Sequence, residues 1–175
     1  MFKLYNKYIL PRLLDRNMRS AEFNETRREV IYQVSGTVLE IGFGSGYNLP
    51  FYKDVTKLYA LDPSTELFAY AKDRISSVSF PVEYLQNSAE NIPLEDNSID
   101  AVVSTWSLCS IPDLSRALQE IKRVLKSDGR FYFIEHGQSP KRINSMVQKF
   151  FTQVSRHFTG NCHLDRKMDD FIADS

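Results

Sequence analysis

The run Thr37 to Gly46, T-V-L-E-I-G-F-G-S-G, constrains this chain more than any other stretch. Val38, Leu39 and Ile41 are β-branched or aliphatic, the residue types that suit a buried strand. Glycines follow at 42, 44 and 46, around Phe43, where a missing Cβ lets the backbone turn sharply and lie bare against a ligand. Such a strand and turn is either a tight corner or a cofactor loop, and the residues downstream of Gly46 decide between them.

Spacing narrows the ligand. The dinucleotide fingerprint G-x-G-x-x-G wants its third glycine where this chain has Tyr47, which argues against a nicotinamide cofactor. Twenty residues after Gly42, K-L-Y-A-L-D reads as a second apolar strand ending in Asp62, followed by Pro63 and a helical segment over about 64–75. A carboxylate at that tip can accept two hydrogen bonds from ribose hydroxyls, or it can cap the next helix. V-E-Y-L-Q-N-S-A-E predicts a third strand over about 82–86 running into Ser88, Ala89 and Glu90. A polar turn leads to a fourth strand, about 99–104, continued by T-W-S-L-C-S-I-P-D. Leu114, Leu118, Ile121, Val124 and Leu125 recur at helical spacing over about 112–125, K-S-D-G-R offers a glycine stop, and R-F-Y-F-I-E-H-G reads as a fifth strand. Alternating strands and helices imply an α/β fold with a doubly wound, mostly parallel sheet, its ligand beyond the carboxyl ends of the strands.

A chain of 175 residues with 42% hydrophobic content has enough apolar matter for one core, so residues 1–175 are expected to form a single domain. No apolar run approaches the roughly 20 residues of a bilayer span, and the start is interrupted by Lys3, Asn6, Lys7, Pro11 and Arg12, so the expected location is cytoplasmic. Cys109 and Cys162 are too few and too far apart in sequence to suggest a disulfide framework or a zinc site, and no metal is expected. The formal net charge is zero, whereas a nucleic-acid binder should show a clear basic excess; no nucleic-acid partner is expected. Residues 1–35 carry seven Lys or Arg against four acids, and Phe2, Tyr5, Tyr8, Ile9, Leu13 and Leu14 make an apolar side. Such a segment suits peripheral contact with anionic lipid. Pro11 should divide or kink it, with a second helix over about 20–34 packed through Phe23, Arg27, Val30, Ile31 and Val34.

Taken together, Y-I-L-P-R-L-L-D, L-E-I-G-F-G-S-G-Y-N-L-P-F-Y, L-D-P-S, N-S-A-E-N-I-P-L, T-W-S-L-C-S-I-P-D, R-V-L-K-S-D-G-R, F-I-E-H-G and N-C-H-L-D-R resemble the class I methyltransferases that use S-adenosylmethionine. The likeness is to the ubiquinone and menaquinone biosynthesis type and to a bacterial branch similar to phospholipid and alkyl-thiol methyltransferases. It implies Rossmann-like cofactor binding by residues 36–140, with residues 1–35 as a helical lid. The loop Gly42, Phe43, Gly44 and Gly46 would hold the cofactor and Glu40 would meet the methionine ammonium, often through water. Asp62 would stand at the ribose with Pro63 next to it among the cofactor-binding residues, Ser88 and Ala89 would stand at the adenine, and Thr105 would border both the cofactor and the acceptor. Many relatives carry Asp where Ser88 stands, and a neutral hydroxyl should make the weaker contact.

Methyl transfer from a sulfonium needs mainly positioning and exclusion of water, and a general base only when the acceptor must lose a proton. His136, at the end of the fifth strand, is the candidate for that role, with Glu135 as the alternative; a structural histidine bonded to backbone is the competing reading. Trp106 would wall the acceptor pocket, and His163 would contact the acceptor by likeness to the family's matching motif. The expected reaction is direct in-line methyl transfer to a small or lipid-like apolar acceptor, with S-adenosylhomocysteine as product. A non-catalytic cofactor-binding module acting through a partner is the second reading. Family members usually continue past N-C-H-L-D-R into a final strand hairpin, which this sequence does not carry before Ser175. The expectation is therefore a sheet lacking that hairpin, with an exposed edge that favours pairing as a homodimer.

Overall fold

A computed structural model of the chain describes residues 4–136, 148, 152, 159–168 and 171. Its centre is a five-stranded sheet in the order β3-β2-β1-β4-β5, formed by β1 (Ser35–Ile41), β2 (Asp54–Leu61), β3 (Val82–Leu85), β4 (Ile99–Thr105) and β5 (Leu125–Ile134). Every pairing is parallel, so the expected mostly parallel sheet is wholly parallel among the described residues. The described sheet contains no hairpin, and β3 and β5 are its edges.

Side-chain alternation along the central strands divides the core into two layers. Leu39 and Ile41 of β1 and Val102 of β4 face one side, against the helix α5 (Leu114–Val124) through Leu114, Ala117, Leu118, Ile121 and Val124. Val38 of β1 and Ala101 and Val103 of β4 face the other, where they meet Ile31, Phe43, Leu49 and Ala71. Ile31 comes from α2 (Ala21–Ile31), whose N-cap is Ser20, its hydroxyl accepting from Phe23 N at 3.2 Å. Ahead of it, a π-helical turn over Tyr5–Ile9 leads into α1 (Leu10–Asn17) with Pro11 in the first turn, where a missing N–H costs nothing. The proline thus marks the junction of two short helical pieces, as the sequence suggests.

The segment after β2 is helical over 65–75, as the sequence suggests, in three pieces: α3 (Thr65–Phe68) tightens into a 3-10 turn over Ala69–Ala71 before α4 (Lys72–Ile75). One expectation needs correction: Gly129 does not stop α5, because Leu125 is already extended at φ −66° and ψ 137° and begins β5. Asn97 N and Ser98 N take up the carbonyls of Arg123 and Val124, which ends the helix without a left-handed glycine. Lys126 to Gly129 fall in the register shift where Ile99 pairs with Leu125 but Ala101 with Arg130.

At Gly42 the absence of a side chain is a packing requirement. Its φ is +67°, and an added Cβ would fall well inside van der Waals distance of the Oγ and Cβ of Ser107, which lies just past β4. We expect Gly42→Ala to cost about 2 to 4 kcal/mol from left-handed strain plus overpacking. Urea unfolding checks this, and a loss below about 0.5 kcal/mol would mean that the two turns yield easily.

Candidate functional site

The carboxyl ends of β1, β2 and β4 meet in one place because parallel strands all end on the same side. Gly42 N and Phe43 N both donate to Leu61 O, at 2.9 and 3.2 Å, so the glycine loop hangs from the tip of β2. Beyond it, Asp62 accepts from Gly44 N at 2.8 Å with one oxygen and from Ser64 N at 2.8 Å with the other. Burial pushes the Asp62 carboxyl up from its ordinary value, while those two amides pull the other way. The capping role considered for Asp62 falls to Ser64, whose hydroxyl accepts from Leu67 N. Pro63 stands between them, exposed.

Glu40, at the penultimate position of β1, is 1% exposed. It accepts from Asn48 Nδ2 at 3.0 Å and from the Tyr52 hydroxyl at 2.7 Å. Burial nevertheless pushes its carboxyl up to about 8, with the nearby Arg27 opposing. The same Asn48 nitrogen donates to Thr105 Oγ1 at 3.1 Å, so one amide ties the ends of β1 and β4 together. Asn48 Oδ1 is buried without a partner among the described residues.

Helix α2 closes the near side. Arg27, 2% exposed, sets its guanidinium 5.0 Å from the Trp106 ring, 5.3 Å from Tyr47 and 5.9 Å from Phe23. Phe23 packs on Trp106 with ring centroids 4.5 Å apart. Arg19 donates to the Tyr47 hydroxyl at 2.9 Å, and Arg74 grips the loop through Ser45 O at 2.8 Å. Trp106 itself has φ +51°, rare for a bulky residue, and is anchored by its N donating to Ile134 O at 2.7 Å.

On the β3 side the Ser88 hydroxyl donates to Glu90 Oε2 at 2.7 Å and accepts from Glu90 N at 3.3 Å, so it turns toward its own loop. Ala89 is part of the core beneath. Beyond β5, Glu135 accepts from Ser107 N at 2.7 Å, Leu108 N at 2.8 Å and Ser104 Oγ at 3.2 Å, which makes it a brace for the turn after β4. His136 directs Nε2 to Cys162 Sγ at 3.2 Å. His163 N donates to Cys109 O at 3.0 Å. His157 lies outside the described residues.

Gly42, Phe43, Gly44, Gly46, Glu40, Asp62 and Thr105 thus come together by direct hydrogen bonds or loop continuity, whereas Ser88 and Ala89 stand on the next turn. Sequence reading missed Asn48, Tyr52 and Tyr47, which sit in loops where no periodicity marks them. Arg27 carried a usable signal: a charge on an otherwise apolar helix face.

The methyltransferase domain model matches residues 39–133, more than half of the chain. The chain belongs to this methyltransferase family. It has the Rossmann-like fold of that family, whose members use S-adenosylmethionine as methyl donor. It is 31% identical over 180 residues to the rat thiol S-methyltransferase TMT1B, covering 94% of this chain and 72% of that protein. It is 28% identical over 141 residues to a phosphatidylethanolamine N-methyltransferase of Cereibacter sphaeroides, covering 79% and 68%. Among solved structures it is similar to YcgJ of Bacillus subtilis, with a TM-score of 0.70 at 23% identity, covering 85% of this chain and 65% of the other. Against that solved relative this methyltransferase chain spans just under two thirds of the length.

Two outcomes test the cofactor side. Asp62→Ala should weaken S-adenosylhomocysteine binding more than about tenfold, since both the expected ribose contacts and the brace on Gly44 are lost; unchanged affinity by calorimetry would contradict the assignment. Burial holds the Glu40 carboxyl up at about 8, and a donor ammonium beside it would favour the carboxylate, so binding should release a proton. Affinity for S-adenosylmethionine should therefore climb as pH rises toward 8, until the donor's own ammonium begins to lose its proton, and Glu40→Gln should flatten that climb. A wild-type profile identical to that of the glutamine variant would remove Glu40 from the ammonium.

Proposed function

We propose that this chain transfers the methyl group of S-adenosylmethionine, in line, to a small apolar thiol. The observation that carries the reading is the joining of three strand tips: Leu61 O and Asp62 hold the glycine loop, and Asn48 bridges Glu40 and Thr105. That frame suits a nucleoside with a charged amino-acid end. Asp62 and Pro63 take the ribose, Ser88 and Ala89 the adenine, and Glu40 with the loop Gly42, Phe43, Gly44 and Gly46 the methionine portion. Thr105 and Trp106 then border the reacting methyl.

The choice of thiol draws on the thiol S-methyltransferase likeness, and chemistry agrees with it. A thiolate enters already ionised, so the protein need only position it and exclude water. Helices α1 and α2 form the lid in this reading, with Phe23 and Trp106 as its aromatic inner wall. Leu4, Tyr8, Ile9 and Leu13 stand exposed at the outer end of that lid, beside Lys7 and Arg12, where an apolar acceptor or an anionic lipid surface could approach. No helix among the described residues is long and apolar enough to cross a membrane.

Methyl transfer from labelled S-adenosylmethionine should be measured against a short alkyl thiol, a phenol and phosphatidylethanolamine vesicles. Turnover should be highest on the thiol. Turnover on the phospholipid alone would replace the acceptor, and tight donor binding without turnover on any of the three would favour a non-catalytic binding module.

A further inference from the structure

The two cysteines of the chain, read as unrelated from their separation in sequence, are neighbours in space. Cys109 lies in the 3-10 turn Leu108–Ser110 after β4, and Cys162 in the N-C-H-L-D-R segment. Their sulfurs are 3.4 Å apart, and His136 Nε2, from the end of β5, is 3.2 Å from Cys162 Sγ. The three donor atoms all lie within 4.8 Å of one another.

We propose that Cys109, His136 and Cys162, converging from three separate segments, form a zinc site of two thiolates and one imidazole. The donor set has the right softness, for thiolate and imidazole together suit Zn²⁺ and not magnesium or calcium. Its spacing is close to right as well. Tetrahedral zinc with Zn–S near 2.3 Å and Zn–N near 2.0 Å sets sulfurs about 3.8 Å apart and sulfur and nitrogen about 3.5 Å apart. The sulfur–sulfur and Cys162–His136 separations need to open by only a few tenths of an ångström, and the remaining pair, Cys109 Sγ and His136 Nε2, lies within 4.8 Å.

Backbone contacts place the ligands. Asn161 Nδ2 donates to Ser110 O at 3.1 Å, His163 N to Cys109 O at 3.0 Å and Arg166 Nη1 to Leu108 O at 2.7 Å, latching the Cys162 segment onto the Cys109 turn. His136 Nδ1 is buried and makes no hydrogen bond among the described residues, so it is Nε2 that the fold directs at the two sulfurs.

Binding balances in charge and protons. Zn²⁺ displaces one proton from each thiol to the buffer, no electron moves, and the resulting centre with two thiolates and a neutral imidazole carries no net charge. That neutrality makes burial tolerable where a bare ion would not be. Three donors among the described residues leave a fourth position for water or an incoming donor. The site stands on its own ligands and does not depend on the choice of methyl acceptor.

Cobalt(II) titration of the reduced, chelator-treated full chain is the test, followed by zinc displacement. Intense thiolate-to-cobalt charge-transfer bands with tetrahedral d–d bands, saturating at about one ion per chain and reversed by zinc, are expected. Because Cys109 is buried in the core, Cys162→Ser and His136→Ala are the variants to compare, each expected to weaken zinc binding about tenfold or more. S-adenosylhomocysteine binding and circular dichroism show separately that each variant is folded. Absence of the charge-transfer bands in wild type would overturn the site, as would equal zinc retention in folded variants. Loss of both free thiols in air with no zinc held would also overturn it, in favour of a redox pair.

Discussion

The site hangs on one buried carboxylate that serves two turns at once. Asp62 accepts the amide of Gly44 with one oxygen and that of Ser64 with the other, so the glycine loop and the turn before α3 cannot move independently. Both donors are backbone groups, which hold their direction because the chain on either side is hydrogen-bonded. Gly42 and Phe43 add two more links through Leu61 O. A ligand reaching this end of the sheet meets a surface already ordered, so less conformational entropy is lost on binding.

Polar burial is the cost of that order. Glu40, Asn48 and Arg27 are nearly inaccessible; both Glu40 oxygens accept hydrogen bonds, whereas Asn48 and Arg27 each leave one buried atom unmatched among the described residues. Asn48 Oδ1 and Arg27 Nε are the unmatched atoms. Unmatched buried polar atoms destabilise a fold by about 1 to 3 kcal/mol each, and are retained where a ligand uses them. The aromatic rings of Phe23, Tyr47 and Trp106 around Arg27 offset part of this through cation–π contact and fix the N-terminal helices against the loop.

Strands and their order of appearance were legible because apolar runs bounded by turns report buried parallel strands directly. All five expected strands are present, and Ser20 begins α2 where the sequence places its start. Helix ends were less legible. The end of α5 depends on Asn97 and Ser98, far along the chain from the carbonyls of Arg123 and Val124 that they satisfy, so the nearby glycine misled. The glycine loop and Asp62 announce themselves by spacing. Asn48, Tyr52 and the pairing of Cys109 with Cys162 do not, since each acts across strands.

By itself the sequence determined the class of fold, because hydrophobic periodicity and glycine spacing are local properties of the chain, and its motifs carried the likeness to a methyltransferase family. Tertiary structure alone decided which polar groups meet: Asn48 with Glu40 and Thr105, Arg27 with three rings, His136 with two cysteines. Those contacts join residues distant in sequence, and their distances exist only once the strands have paired in one register and the helices have packed on both faces.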